Sequence, residues 1–208
     1  MKLTIKDLEQ GQPIPARYAF GIPDAKNHMA FGENLSPEMS WSDVPEGTKS
    51  FVILVKDVDV PSVADDVNQE GKSIPVDLPR VDFYHWVLID IPADITRIGE
   101  GEDSRGVTVG GKKPGRASIG IRGVNNYTQF FAGNPDLEGI YGGYDGPCPP
   151  WNDERLHHYH FTVYALDVAS LALDGEFQGP DVVKAMEGHI LAEATVTGTY
   201  TLNPQVKS

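Results

Sequence analysis

From Ala194 to Leu202 the chain alternates without a break. Ala194, Val196, Gly198, Tyr200 and Leu202 take one side; Thr195, Thr197, Thr199 and Thr201 take the other. A period of two with small polar residues on one face marks a half-buried antiparallel strand. The same reading holds for Tyr159, Phe161, Val163 and Ala165, which alternate with His160, Thr162, Tyr164 and Leu166. Two further runs, Phe51–Val55 (FVILV) and Trp86–Ile89 (WVLI), are continuously apolar and rich in β-branched or aromatic residues, as buried strands are. Glycines and prolines punctuate most of the chain, so many short strands are expected rather than long helices.

One helix is read after Gly179-Pro180-Asp181, where Val183, Met186 and Ile190 recur at helical spacing behind a proline and an acid. A second, shorter one is read at 130–138. Segments 62–82 and 99–158 read as long connections, a length usual for functional loops. No repeat or interdomain linker interrupts the chain. The expectation is one domain over residues 1–208: a mainly β, antiparallel sandwich with a few short peripheral helices, one near the C-terminus.

Charge narrows the partners. Thirty acidic against 17 basic residues give a net charge of −13, which repels nucleic acid and anionic bilayers. No stretch has the length of a membrane helix, so stable membrane insertion is not expected. The N-terminal MKLTIKDLEQ lacks an apolar signal core, and the single cysteine, Cys148, permits no intrachain disulfide. A cytoplasmic protein is the expectation.

Polar residues gather where apolar strands end. Asp57 and Asp59 follow FVILV two apart, which places them on one side if the strand continues, although Asp and Pro also suit a plain strand exit. His85 immediately precedes WVLI. Gly146-Pro147-Cys148-Pro149-Pro150 is stiffened by three prolines and leads to His157 and Tyr159, again two apart. Two carboxylates, two histidines and a phenol can hold an anion, ligate a divalent metal or carry acid–base chemistry, and spacing alone does not choose. An Asp beside a His would keep the imidazole charged near neutrality, which suits an anion. The basic cluster Lys112, Lys113, Arg116 and Arg122 reads as a solvated loop, with anion steering as the minority alternative. Nucleophile-elbow, phosphate-loop and His-Glu-x-x-His motifs are absent.

These residues resemble the phosphatidylethanolamine-binding protein family in its bacterial, Raf-kinase-inhibitor-like branch. The likeness is carried by Gly32-Glu-Asn-Leu-Ser-Pro-Glu-Met-Ser-Trp41, Asp57-Val-Asp-Val-Pro61, Tyr84-His-Trp86, Tyr144-Asp-Gly-Pro-Cys-Pro-Pro150, His157-His-Tyr159 and Gly198-Thr-Tyr200, from about Gly32 to Tyr200. It implies a sandwich with a small pocket for phosphate-bearing headgroups such as phosphorylethanolamine. The pocket wall would include Asp57, Asp59, His85, Gly146, Pro147, Pro149, His157 and Tyr159, with no catalytic residue, metal or cofactor. A regulator of a kinase or protease is the alternative; a phosphoester or amide hydrolase is the least favoured. The family's bacterial members suggest a homodimer. Val58 replaces the family's proline between the aspartates, and Val60 replaces its alanine. A cis bond at Val60–Pro61 is the further expectation for that loop.

Overall fold

The computed structural model describes residues 1–207. Its strands are β1 (Lys2–Ile5), β2 (Gly21–Asp24), β3 (His28–Phe31), β4 (Met39–Ser42), β5 (Ser50–Pro61), β6 (Arg80–Pro92), β7 (Arg97–Ile98), β8 (Gly115–Arg116), β9 (Ile121–Arg122), β10 (His157–Leu166) and β11 (Ile190–Tyr200). Two short helices, α1 (Tyr127–Phe130) and α2 (Gly179–Ala185), complete the set. The large sheet runs β11-β10-β5-β6-β9-β8; β1-β4-β7 form a smaller sheet, and β2 and β3 form a hairpin. Every strand pairing is antiparallel. The fold is the mainly β sandwich that the alternation pattern implied.

The unbroken apolar run of β5 has a simple cause: both faces of the central strands are covered. Phe51, Ile53 and Val55 join Trp86, Leu88, Phe161 and Val163 in the core shared with Met39 and Trp41 of the small sheet. Val52 and Leu54 point the other way, against Val87, Ile89, Phe177, Val182 of α2 and Met186 just beyond its end. A strand buried on both sides has no reason to alternate.

On the terminal strand Thr195 is exposed and Val196 packs toward the core, but the alternation in exposure stops there, and Thr199 is buried. Its last turns are covered: Gly11 N–H donates to Thr197 O (2.7 Å) and Ile14 N–H to Thr199 O (2.8 Å). A side chain at Gly198 would meet Ile14, so this position stays glycine.

Three expectations need correction. The C-terminal helix ends at Ala185, not near Ile190, because Gly188 takes φ +79° and turns the chain into β11. Val182 and Met186 are its buried contacts, while Val183 is exposed. The helix read at 130–138 lies earlier, at Tyr127–Phe130; the residue before Pro135 is disfavoured in helical conformation, and 131–137 form turns. The peptide bond at Val60–Pro61 is trans, as are all others described. Pro61 still pairs with Arg80 as the last residue of β5, so no turn occurs there.

Candidate functional site

Two bulges aim the polar residues. Across β5 and β6, Val55 opposes Trp86 and Lys56 opposes Tyr84, which leaves His85 as the extra residue. In consequence Trp86 faces the sandwich core, Tyr84 the opposite face, and His85 is freed from the alternation. Farther along, Asp57 opposes Phe83 and Val60 opposes Val81, so β5 carries an extra residue between them. That slip turns Asp59 away from Asp57. Asp59 accepts from His158 N–H (2.9 Å) and pairs with His158 Nδ1 (2.8 Å) and Arg155 Nε (2.6 Å).

Asp57 lies opposite Tyr159 of β10, beside His157. His157 Nδ1 is 2.6 Å from Asp57 Oδ2, and Nε2 is 3.0 Å from Asp153 Oδ2. With a carboxylate on each ring nitrogen, both nitrogens donate and the ring is an imidazolium. Asp153 in turn accepts a two-pronged contact from Arg80, Nη1 at 2.5 Å and Nη2 at 3.1 Å. The other oxygen of Asp57 accepts Asp59 N–H at 2.8 Å. Burial opposes charge on His157, but Asp57 and Asp153 overcome it and raise its pKa to about 9. Burial likewise opposes ionisation of Asp57 and Asp153; His157 prevails and holds both below the usual carboxylate range. The four groups alternate in sign and their formal charges cancel.

His85 is the opposite case. Burial pulls its pKa down to about 4 despite the nearby Asp57 charge. Its Nδ1 donates to the Asp145 carbonyl at 2.8 Å, and its other nitrogen makes no hydrogen bond to a described residue. The expectation of a charged histidine near neutrality thus fits His157 and not His85. Tyr159 is fully buried, and its hydroxyl has no partner among the described residues. Burial, with Asp57 close by, raises its pKa well above the ordinary tyrosine value, so it stays protonated.

The proline-rich loop is held from behind. The Asp145 carboxylate collects Lys112 Nζ (2.7 Å), Asn34 Nδ2 (2.8 Å) and Asn125 Nδ2 (2.9 Å). Gly146 N–H donates to Asn34 Oδ1 (2.8 Å), Tyr127 O–H donates to Gly146 O (2.8 Å), and Gly21 N–H donates to Pro147 O (3.0 Å). Gly146 and Pro147 therefore anchor the loop, while Cys148, Pro149 and Pro150 reach the pocket. Burial pushes the Cys148 thiol up to about 12, which leaves it protonated at neutral pH. Lys112 and Arg122, read as loop cations, are structural: Arg122 Nε pairs with Asp103 at 2.6 Å.

The pocket has a volume of about 90 Å3. Of the residues singled out in the sequence, Asp57, His85, Pro149, His157 and Tyr159 line it; Asp59, Gly146 and Pro147 do not. Phe83, Tyr127 and Phe130 add an aromatic side, and Ala64, Val67 and Asn68 bring the long connection into the wall. That connection is pinned by Asn152, whose Nδ2 donates to Asp66 O (2.8 Å) and Lys72 O (3.1 Å) and whose Oδ1 accepts Asn68 N–H (3.0 Å). We expect Asn152→Ala to lower stability by about 1–3 kcal/mol and to admit proteolysis at 62–79; a cleavage pattern like that of the wild type would contradict this role. Sequence reasoning missed Asp153 and Arg80. Asp153 stood four residues before His157 as a visible acid, whereas nothing marked Arg80 as its partner. Among the described residues no three His, Cys, Asp or Glu side chains are grouped to hold a metal ion.

Comparison with known proteins gives one consistent result. The family profile described as phosphatidylethanolamine-binding protein matches residues 4–201. The UPF0098 protein YbhB of Escherichia coli is 31% identical over 202 residues, covering 97% of this chain and 100% of its own length. A UPF0098 protein of Aquifex aeolicus is 31% identical over 200 residues, covering 96% of this chain and 88% of its own. The crystal structure of Escherichia coli YbcL, described as a new member of the mammalian PEBP family, superposes with a TM-score of 0.68 at 26% identity, over 96% of this chain and 97% of that one. CT736 of Chlamydia trachomatis gives 0.63 at 28% identity, over 96% and 95%.

Proposed function

The chain belongs to the phosphatidylethanolamine-binding protein family, and on that premise we propose that its pocket binds a phosphate-bearing headgroup without turning it over. The observation that carries this reading is the His85 nitrogen that makes no hydrogen bond to a described residue, on the wall of a cavity that Tyr159 also lines. An arriving anion stabilises the imidazolium form, so His85 takes up a proton and becomes a charge-assisted donor. His157 supplies no net charge, since Asp57 and Asp153 neutralise it, but it keeps Asp57 ionised and fixed.

Two features support binding over catalysis. The pocket wall contains no serine, threonine or lysine. Its thiol is held protonated, and both nitrogens of His157 are committed to carboxylates. No helix among the described residues is long and apolar enough to cross a membrane.

Calorimetry with phosphorylethanolamine at pH 6–7, in buffers of different ionisation enthalpy, tests the proposal. Binding should take up close to one proton, and His85→Phe should abolish the uptake and weaken binding at least about ten-fold, the value of one charge-assisted hydrogen bond. Binding without proton exchange and indifferent to His85→Phe would place the ligand elsewhere.

A further inference from the structure

We propose that Lys112, which lies outside the pocket wall, is a positioning residue for the anion: through Asp145 it holds His85 in the tautomer whose Nε2 is free to meet a ligand. The inference rests on the reading that an anion binds at His85.

His85 and Asp145 are bonded twice. His85 Nδ1 faces the Asp145 carbonyl at 2.8 Å, and Asp145 N–H donates to His85 O at 3.0 Å. A carbonyl only accepts, so the proton of the neutral ring sits on Nδ1. A histidine side chain in water favours the other tautomer, so this one lasts only while the carbonyl stays in place.

The carboxylate of the same residue keeps it there. Asp145 is fully buried, and besides Lys112 Nζ it accepts Asn34 Nδ2 and Asn125 Nδ2, one on each oxygen. Both amides are thereby turned with nitrogen toward the carboxylate and oxygen toward the backbone. Asn34 Oδ1 accepts Gly146 N–H at 2.8 Å, and Asn125 Oδ1 accepts Tyr127 N–H at 3.0 Å. Tyr127 O–H closes the frame on Gly146 O. The frame around the Asp145 carbonyl therefore depends on a carboxylate that accepts on both sides.

Lys112 is the one cation among the described residues that bonds to this carboxylate, and its side chain is only 13% exposed. Burial lifts the Asp145 carboxyl above the usual carboxylate range, and Lys112 is the strongest influence opposing that rise. Without the ammonium, Asp145 is either an unpaired buried charge or a neutral acid. A neutral acid accepts the two amides about half as strongly, and its own O–H faces two donors.

The test follows the ring nitrogens of 15N-labelled histidine in the ligand-free full chain at pH 8, with calorimetry on phosphorylethanolamine at pH 7. Lys112→Met should move His85 toward the Nε2–H tautomer and weaken binding at least about ten-fold, as when one hydrogen bond to a charged group is lost. Lys112→Arg should keep both properties. Lys112→Met with Asp145→Asn removes both charges and leaves no buried ion unpaired, so this double variant should regain the stability lost in the single one. It should regain neither tautomer nor affinity, because an amide cannot accept on both sides. An Nδ1–H tautomer preserved in Lys112→Met, or tautomer and affinity that return with stability in the double variant, would overturn the inference and leave the headgroup reading intact. A wild-type protein that binds no phosphorylethanolamine would overturn the headgroup reading and the ligand half of this inference, whatever the tautomer does.

Discussion

Replacing His157 with alanine is expected to destabilise the protein by about 3–5 kcal/mol, the cost of breaking a buried ion pair by removing one partner. His157 lies between two buried carboxylates, and its loss leaves Asp57 and Asp153 facing each other without the cation. The pH dependence makes this more than a statement about packing. His157 has a folded pKa raised from 6.5 to about 9. Its stabilisation is therefore fully present below pH 6.5 and lost as pH rises through 9, at about 1.4 kcal/mol per pH unit at most. His85 has the opposite sign. With a folded pKa lowered from 6.5 to about 4, the unfolded chain binds the extra proton between those values. Its contribution is present above pH 6.5 and declines as pH falls toward 4. Together the two histidines place a stability maximum near pH 6.5. Urea unfolding from pH 5 to 9 should show the alkaline decline in wild type and not in His157→Ala. A variant within 1 kcal/mol of wild type, with the same alkaline decline, would show that the carboxylates do not hold this ring.

Gly146→Ala is expected to cost about 3 kcal/mol or more, at the upper end of overpacking effects, and to abolish ligand binding although Gly146 does not line the pocket. A β-carbon there would be driven into the backbone carbonyl of Tyr18 and the hydroxyl of Tyr144. A carbonyl inside a buried segment cannot step aside as the end of a flexible side chain can, so the loop itself must move. Its movement would carry away the Asp145 carbonyl that holds His85 Nδ1 and the Pro149–Pro150 wall. Equilibrium unfolding and calorimetry on the same variant check both halves. Wild-type stability and affinity would show that the loop tolerates displacement and does not position His85.

Much of this architecture was legible because strand patterning reports burial directly. FVILV announced a buried strand and Thr195 an open outer face, whereas Thr199 on the same ladder is buried where the N-terminal segment pairs with it. The convergence of Asp57, His85, His157 and Tyr159 was legible as well, since each sits at or beside a strand and the strands are neighbours. Asp59 was misplaced because a bulge adds one residue to β5, and one residue reverses every side chain beyond it. Alternation in a sequence carries no mark of such an insertion. The bulge at His85 was equally hidden, with the histidine read as the start of a strand that in fact begins at Arg80. The Arg80–Asp153 pair joins residues 73 positions apart, and only the fold brings them together. The aromatic side made by Phe83, Tyr127 and Phe130 carried no mark in the sequence, and the adjoining core of Phe20, Phe131 and Tyr141 is what holds it in place. The C-terminal helix was overextended because the helical spacing of Val183, Met186 and Ile190 runs on past Gly188, where the backbone turns.

The central claim is that an anion enters the pocket and charges His85 while His157 is charged throughout. Histidine ring NMR from pH 5 to 8, with and without saturating phosphorylethanolamine, tests it most directly. The expected result is a neutral His85 ring in the free protein at pH 6 that becomes an imidazolium on saturation, beside a His157 ring that is cationic in both states. Rings that neither shift nor change protonation at millimolar ligand would contradict the claim and leave the pocket as a structural cavity.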